Sequence, residues 1–86
     1  MTKLRIYVAG LNPETIKAID ELKEVLDEKF KDQYSIEILD LLESLSKALG
    51  DNIIVTPTIL RVSPTPQKRV IGDIRAKESI VEYLFS

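Results

Sequence analysis

Chemistry in an 86-residue chain with neither cysteine nor histidine has to come from carboxylates, amines, guanidinium groups and hydroxyls. Thiolate attack, imidazole general-base catalysis and the usual zinc sites are excluded together. Asp40 ends the strand-like run Tyr34–Asp40, at the edge where open α/β sheets place ligands. An aspartate ahead of Leu41-Leu42 is also a helix N-cap, and that reading is preferred. Tyr7 offers a hydroxyl, but it lies between apolar neighbours in a strand, where a packed tyrosine is commoner than a catalytic one. Asp20, Glu21, Glu24, Asp27 and Glu28 form an acidic helix face, which interspersed lysines make an ordinary solvated surface. Lys68-Arg69, next to Ser63-Pro64-Thr65-Pro66-Gln67, suit an acidic partner surface or a phosphate; two basic residues on a hairpin also protect a strand edge. No nucleophile–base pair, metal cluster or phosphate-cradling glycine loop can be assembled, which points to a binding module without catalytic activity or cofactor.

Composition sets the frame for these residues. The chain is 44% hydrophobic and 30% charged with a net charge of -2, which fits one small globular domain spanning residues 1–86 and provides no global field for nucleic acid or acidic lipid. No run approaches the roughly 20 apolar residues of a membrane span, and Met1-Thr2-Lys3 leads directly into a strand pattern. The expected location is the cytoplasm.

Hydrophobic periodicity then supplies the elements. Leu4, Ile6 and Val8 alternate with Arg5, Tyr7 and Ala9, and Arg5 alone among these six is charged, so this strand belongs at the centre of a sheet. Asn12 as N-cap, Pro13 at the first helical position and Glu14 in the first turn start a helix that buries Ile16, Ile19, Leu22, Val25, Leu26 and Phe30. The following strand, from Tyr34 to Asp40, must return parallel to the first by a right-handed crossover. Leu41, Leu42, Leu45, Ala48 and Leu49 form a second helix with Gly50 at its C-terminal end, and Leu41, Leu45 and Leu49 are expected in the core. Pro57 cannot donate to a ladder, so the third strand begins at Thr58 and runs to Val62. The Thr56-Pro57 bond is a candidate cis peptide, at a cost of only about 0.5–1 kcal/mol. Lys68 to Ile71 closes an antiparallel hairpin, Gly72-Asp73 ends it, and Asp73 is expected to cap a helix carrying Lys77, Ile80, Val81, Leu84 and Phe85 on one face.

The resulting order, β-α-β-α-β-β-α with a mixed four-stranded sheet and a proline just before the third strand, is the thioredoxin-like α/β architecture. Four motifs narrow it further. Leu4-Arg5-Ile6-Tyr7-Val8-Ala9-Gly10 resembles LKLYVAG of the circadian clock protein family KaiB, and Tyr34 to Leu41 resembles its second strand. Thr56-Pro57-Thr58-Ile59 resembles its TPTL, and Arg69-Val70-Ile71-Gly72-Asp73-Ile74 its RIIGDL. Any one of these is weak; four at matching spacings are specific. Two positions depart from the family: Asn52 stands where a lysine is usual, and Ser44-Leu45 replaces an asparagine-proline pair.

The resemblance implies a non-enzymatic clock or clock-like regulator that binds the hexameric RecA-type ATPase KaiC, with a KaiA-like protein or a sensor histidine kinase as further candidate partners. It also implies a metamorphic C-terminal half, which refolds between a thioredoxin-like binding form and an arrangement that assembles into tetramers. The corner and turn positions for such a change, and the candidate cis prolines, are Thr56, Pro57, Pro64, Pro66, Gly72 and Asp73. The candidate partner surface is Leu42, Glu43 and Ser46 on the second helix with Asn52, Lys68 and Arg69, assigned partly by resemblance and partly from the mixed polar and apolar surface beside Thr56-Pro57. Local propensity favours the thioredoxin-like monomer. A helix over Ile53, Ile54, Val55 and Thr56 costs up to ~0.7 kcal/mol per β-branched residue relative to alanine, and a strand over Ile74 to Phe85 forfeits the expected Asp73 cap.

Gly10-Leu11-Asn12-Pro13 occupies the place where thioredoxins carry Cys-x-x-Cys, so thiol–disulfide exchange fails for want of a thiolate. The enzyme-class alternative is a glutathione- or peptide-binding relative that uses the Thr56-Pro57 backbone and the Tyr7 hydroxyl. A sensor module of a histidine kinase is the other alternative.

Overall fold

The computed structural model describes residues 1–86. Strands β1 (Thr2–Val8), β2 (Tyr34–Asp40), β3 (Thr58–Ser63) and β4 (Lys68–Ile71) form one sheet in the order β2-β1-β3-β4. The β1–β2 pair is parallel, and the β1–β3 and β3–β4 pairs are antiparallel. Helix α1 (Pro13–Phe30) makes the crossover between the parallel strands, which is why they can be parallel at all. Asn12 is its N-cap as expected: its side-chain oxygen accepts from the Thr15 amide at 2.8 Å, and Pro13 holds the first helical position.

Side-chain alternation gives the sheet two unequal faces. Leu4, Ile6 and Val8 of β1 join Ile59 of β3 and pack against Ile19, Leu22, Val25 and Leu26 of α1 and Ile80, Val81 and Leu84 of α3 (Lys77–Leu84). This is the main core, closed at one end by Phe30 stacked on Phe85 with ring centroids 4.1 Å apart. The other face carries Tyr7, Thr58 and Leu60, also buried, beneath α2 (Leu45–Gly50). Ile16, expected in the α1 stripe, is exposed, because it precedes the turns of α1 that lie over the sheet.

Two helix starts differ from the sequence reading. The second helix begins at Leu45 instead of Leu41, since Asp40 caps a turn: its side chain accepts from the amides of Leu42 at 2.9 Å and Gly10 at 3.2 Å. The leucines within the helix face outward. Ala48 is the one buried residue of α2, whereas Leu45 and Leu49 are exposed and not part of the core. Nor is Gly50 the left-handed terminator. Asn52 takes that conformation (φ 56), with Asn52 N donating to Leu49 O and Ile53 N to Ala48 O, the paired closure of a Schellman end.

The last helix starts at Lys77, and Asp73 does not cap it. Its carboxylate accepts from the amide and the guanidinium of Arg75, and α3 packs instead through the buried side chains of Ile80, Val81 and Leu84. Lys77 adds a 2.7 Å ion pair to Glu21 of α1. Pro57 precedes β3 as expected, and the Thr56-Pro57, Ser63-Pro64 and Thr65-Pro66 bonds are cis. Gly72 turns the chain out of β4 at φ 89, a conformation that favours glycine, and its amide donates to Pro57 O at 2.8 Å. No helix is long and apolar enough to cross a membrane.

Candidate functional site

The face of the sheet under α2 carries a row of paired positions running across all four strands. Glu37 of β2 lies opposite Arg5 of β1, Arg5 opposite Leu60 of β3, and Leu60 opposite Arg69 of β4. Two guanidinium groups thus flank one buried leucine. Asp51, immediately after α2, sits above this row: its Oδ2 accepts from Arg5 Nη1 at 2.9 Å and from the Tyr7 hydroxyl at 2.6 Å. Arg69 approaches the same turn from the other side, donating to Asp51 O at 2.9 Å and Asn52 O at 3.2 Å. These are carbonyls at the negative end of a helix, where a cation is favoured. Glu37 completes the cluster by pairing with Lys47 of α2 at 3.1 Å and with Arg5 at 3.3 Å.

The electrostatics follow from the geometry. Burial pushes the Tyr7 phenol up to about 12, and its hydrogen bond to Asp51 adds to the rise. The hydrogen bond to Asp51 raises the Arg5 pKa further, and the one from Lys47 holds the Glu37 carboxyl below its ordinary value. Tyr7 is fully buried with its proton engaged. It does not line the shallow groove of about 310 Å³ between the start of α1 and the Thr56-Pro57 corner, where a glutathione or peptide substrate of the enzyme-class alternative would lie.

Around the polar cluster the surface is apolar. Leu42 is 77% exposed, Leu49 76% and Ile54 91%, with Leu45, Val55 and Ile71 also exposed. Of the expected partner-facing residues, Leu42 and Glu43 lie exposed in the turn before α2 and not on the helix, Ser46 is exposed on α2, and Asn52, exposed just beyond its end, is reached by Arg69 from the α2 side of the sheet. Lys68 is the exception. It faces the opposite side of the sheet from Arg69, as strand alternation requires, and its Nζ lies 5.0 Å from the centre of the Tyr83 ring while donating to Tyr83 O and Ser86 O. Adjacent basic residues therefore do not make one basic patch.

Sequence reasoning missed Asp51 and Arg61. Arg5, the one charge between Leu4 and Val8, was the signal that a counter-charge must lie over β1, although nothing in the chain order says where. Arg61 is 4% exposed on the α1–α3 face, where a charged residue in the run Thr58 to Val62 should have been suspected of carbonyl partners. No group of three or more carboxylates is placed to hold a metal ion.

Residues 5–84 match the KaiB domain family. The circadian clock oscillator protein KaiB of Prochlorococcus marinus (strain NATL2A) is 37% identical over 78 residues, covering 91% of this chain and 73% of the relative. The protein of the same description from Microcystis aeruginosa (strain NIES-843) is 36% identical, over 91% of this chain and 75% of its own length. Among solved structures, the N-terminal domain of Synechococcus elongatus SasA superposes with a TM-score of 0.78 at 14% identity, over 96% of this chain and 78% of that one. Oxidised thioredoxin O2 from Arabidopsis thaliana gives 0.71 at 21% identity, over all of this chain and 76% of that one. At such identities these two likenesses show the fold, which is thioredoxin-like. The family match and the curated relatives agree over nearly the whole chain, and the protein belongs to the KaiB family of circadian clock proteins.

Proposed function

We propose that this chain is a non-enzymatic clock or clock-like regulator that docks on a KaiC-type hexameric ATPase through the α2 side of the sheet, in its thioredoxin-like form. The observation that carries this reading is the exposure of Leu42, Leu49 and Ile54 along the segment that holds α2 and Asp51, which Arg69 ties to the sheet. A six-residue helix that turns its leucines to solvent gives up burial energy of about 1.5–3 kcal/mol per side chain, which a partner surface recovers. The mixed character of the face, with Glu43, Lys47 and Asn52 among the leucines, suits an interface that forms and dissolves. The inaccessibility of the Tyr7 hydroxyl supports a binding role over the glutathione-dependent alternative.

The C-terminal half is proposed to hold the thioredoxin-like arrangement as a monomer, with the tetramer-forming arrangement as its minor alternative. Burial of Ile80, Val81 and Leu84 supports this preference, and the cap once expected from Asp73 contributes nothing to it. The test of the docking reading is a titration of the full chain against a KaiC-type hexamer from the same source. Arg69→Glu and Glu43→Lys should each weaken binding by about ten-fold or more. Unchanged affinity in both would place the interface elsewhere. Glutathione should give no binding signal.

A further inference from the structure

Helix α2 has no apolar anchor beyond Ala48, and six residues are too few for a helix to persist by its own hydrogen bonds. Polar attachments must therefore hold it on the sheet, and they converge on one residue. Through its side chain Asp51 is bound to Arg5 and Tyr7 of β1; through its carbonyl oxygen it is bound to Arg69 of β4. β3 lies between those two strands, with Leu60 buried below. The Asp51 side chain is 14% exposed, which puts its hydrogen bonds in a medium of reduced dielectric. It is also the one carboxylate that meets Arg5 from above the sheet; Glu37, the other partner of Arg5, lies in the sheet itself.

We propose that Asp51 is a positioning residue for the docking face: its carboxylate latches the end of α2 to β1, and this sets the register of Leu49, Asn52 and Ile54 against Arg69. The proposal rests on the reading of the α2 side as the docking surface. Without the latch, the polar attachments left to the Schellman end at Asn52 and Ile53 are Arg69 and the Lys47–Glu37 surface pair, and the latter is worth little in water. The segment then opens locally while the main core, on the opposite face, stays closed.

Amide hydrogen exchange and ring titration on the full chain, with Asp51→Asn and Tyr7→Phe, test this. Asp51→Asn keeps the side-chain volume and removes the charge; Tyr7→Phe keeps the buried ring and removes one hydrogen bond. In Asp51→Asn the amides of Asn52 and Ile53 should exchange about ten-fold faster or more, with those of β1 and β3 unchanged, and affinity for a KaiC-type hexamer should fall by about ten-fold. Tyr7→Phe should move both in the same direction by less. Unchanged exchange at Asn52 and Ile53 in both variants overturns the latch, as does equal acceleration throughout the sheet. Faster exchange with unchanged affinity overturns the positioning role. A failure of the unsubstituted chain to bind the ring removes the docking reading and the positioning role with it, and the exchange pattern then decides the latch by itself.

Discussion

Arg61 of β3 donates from Nη1 to the Leu84 carbonyl oxygen and from Nη2 to that of Pro66, both at 2.7 Å, so one buried guanidinium ties the end of α3 to the β3–β4 connection. It pairs with no aspartate or glutamate, its Nη1 also lies 3.5 Å from Ser86 O, and its Nε has no hydrogen-bond partner. Its place at the C-terminal end of α3 is one where the helix dipole favours a cation. Charge-assisted hydrogen bonds contribute about 1.5–3 kcal/mol each, against which stands the cost of burying the cation. Arg61→Ala should therefore destabilise the fold by about 2–4 kcal/mol in urea denaturation, and Arg61→Met, which keeps the apolar stem, by less. No loss in either variant would mean that the clamp does not hold α3.

The two faces of the sheet should respond differently to truncation. Leu26→Ala opens a cavity in the main core and should cost about 2–5 kcal/mol. Leu45→Ala and Leu49→Ala remove exposed groups and should stay within about 0.5 kcal/mol of the unsubstituted chain. Denaturant midpoints compare the three directly. A core-sized loss at Leu45 or Leu49 would restore the packing that the leucine spacing had suggested.

Stability should fall off on both sides of neutral pH, with a sign fixed by the direction of each shift. The Asp73 carboxyl is held at about 2 by Arg75, and those of Glu21 and Glu37 are lowered by Lys77 and Lys47. Their contribution is full above the ordinary carboxylate range and is lost as pH drops through the lowered values. Tyr7 and Tyr34 lie at about 12 in the fold against an ordinary 10.0, burial being the main cause in both. Their contribution is full below 10.0 and is lost as pH climbs towards 12. Urea midpoints followed across pH should show this plateau, and Tyr7→Phe should flatten its alkaline edge. An alkaline edge unaltered by Tyr7→Phe would remove Tyr7 from the account.

Much of the fold was legible because its determinants are local. Asn12-Pro13 announces α1, Pro57 fixes where β3 can begin, and the alternation Leu4, Ile6, Val8 identifies the central strand. The departures occur where two local rules compete or where the partner is remote. Asp40 was free to cap either a turn or a helix, and its choice of the turn delays the start of α2 by one turn. Asp73 faced the same choice and took Arg75. Asp51 reads as one more turn residue between Gly50 and Asn52, since its partners Arg5 and Tyr7 are more than forty positions away. The adjacent pair Lys68-Arg69 is divided by the period of the strand itself, which sends neighbours to opposite faces.

The docking face is tested most directly by amide exchange of the full chain with and without a saturating KaiC-type hexamer. The account predicts new protection at Leu42 to Val55 and around Arg69, with the acidic face of α1 at Asp20, Glu24 and Asp27 unchanged. Protection on α1 with Leu42 to Val55 unaltered, or no protection anywhere on a ring shown to be assembled, would contradict it.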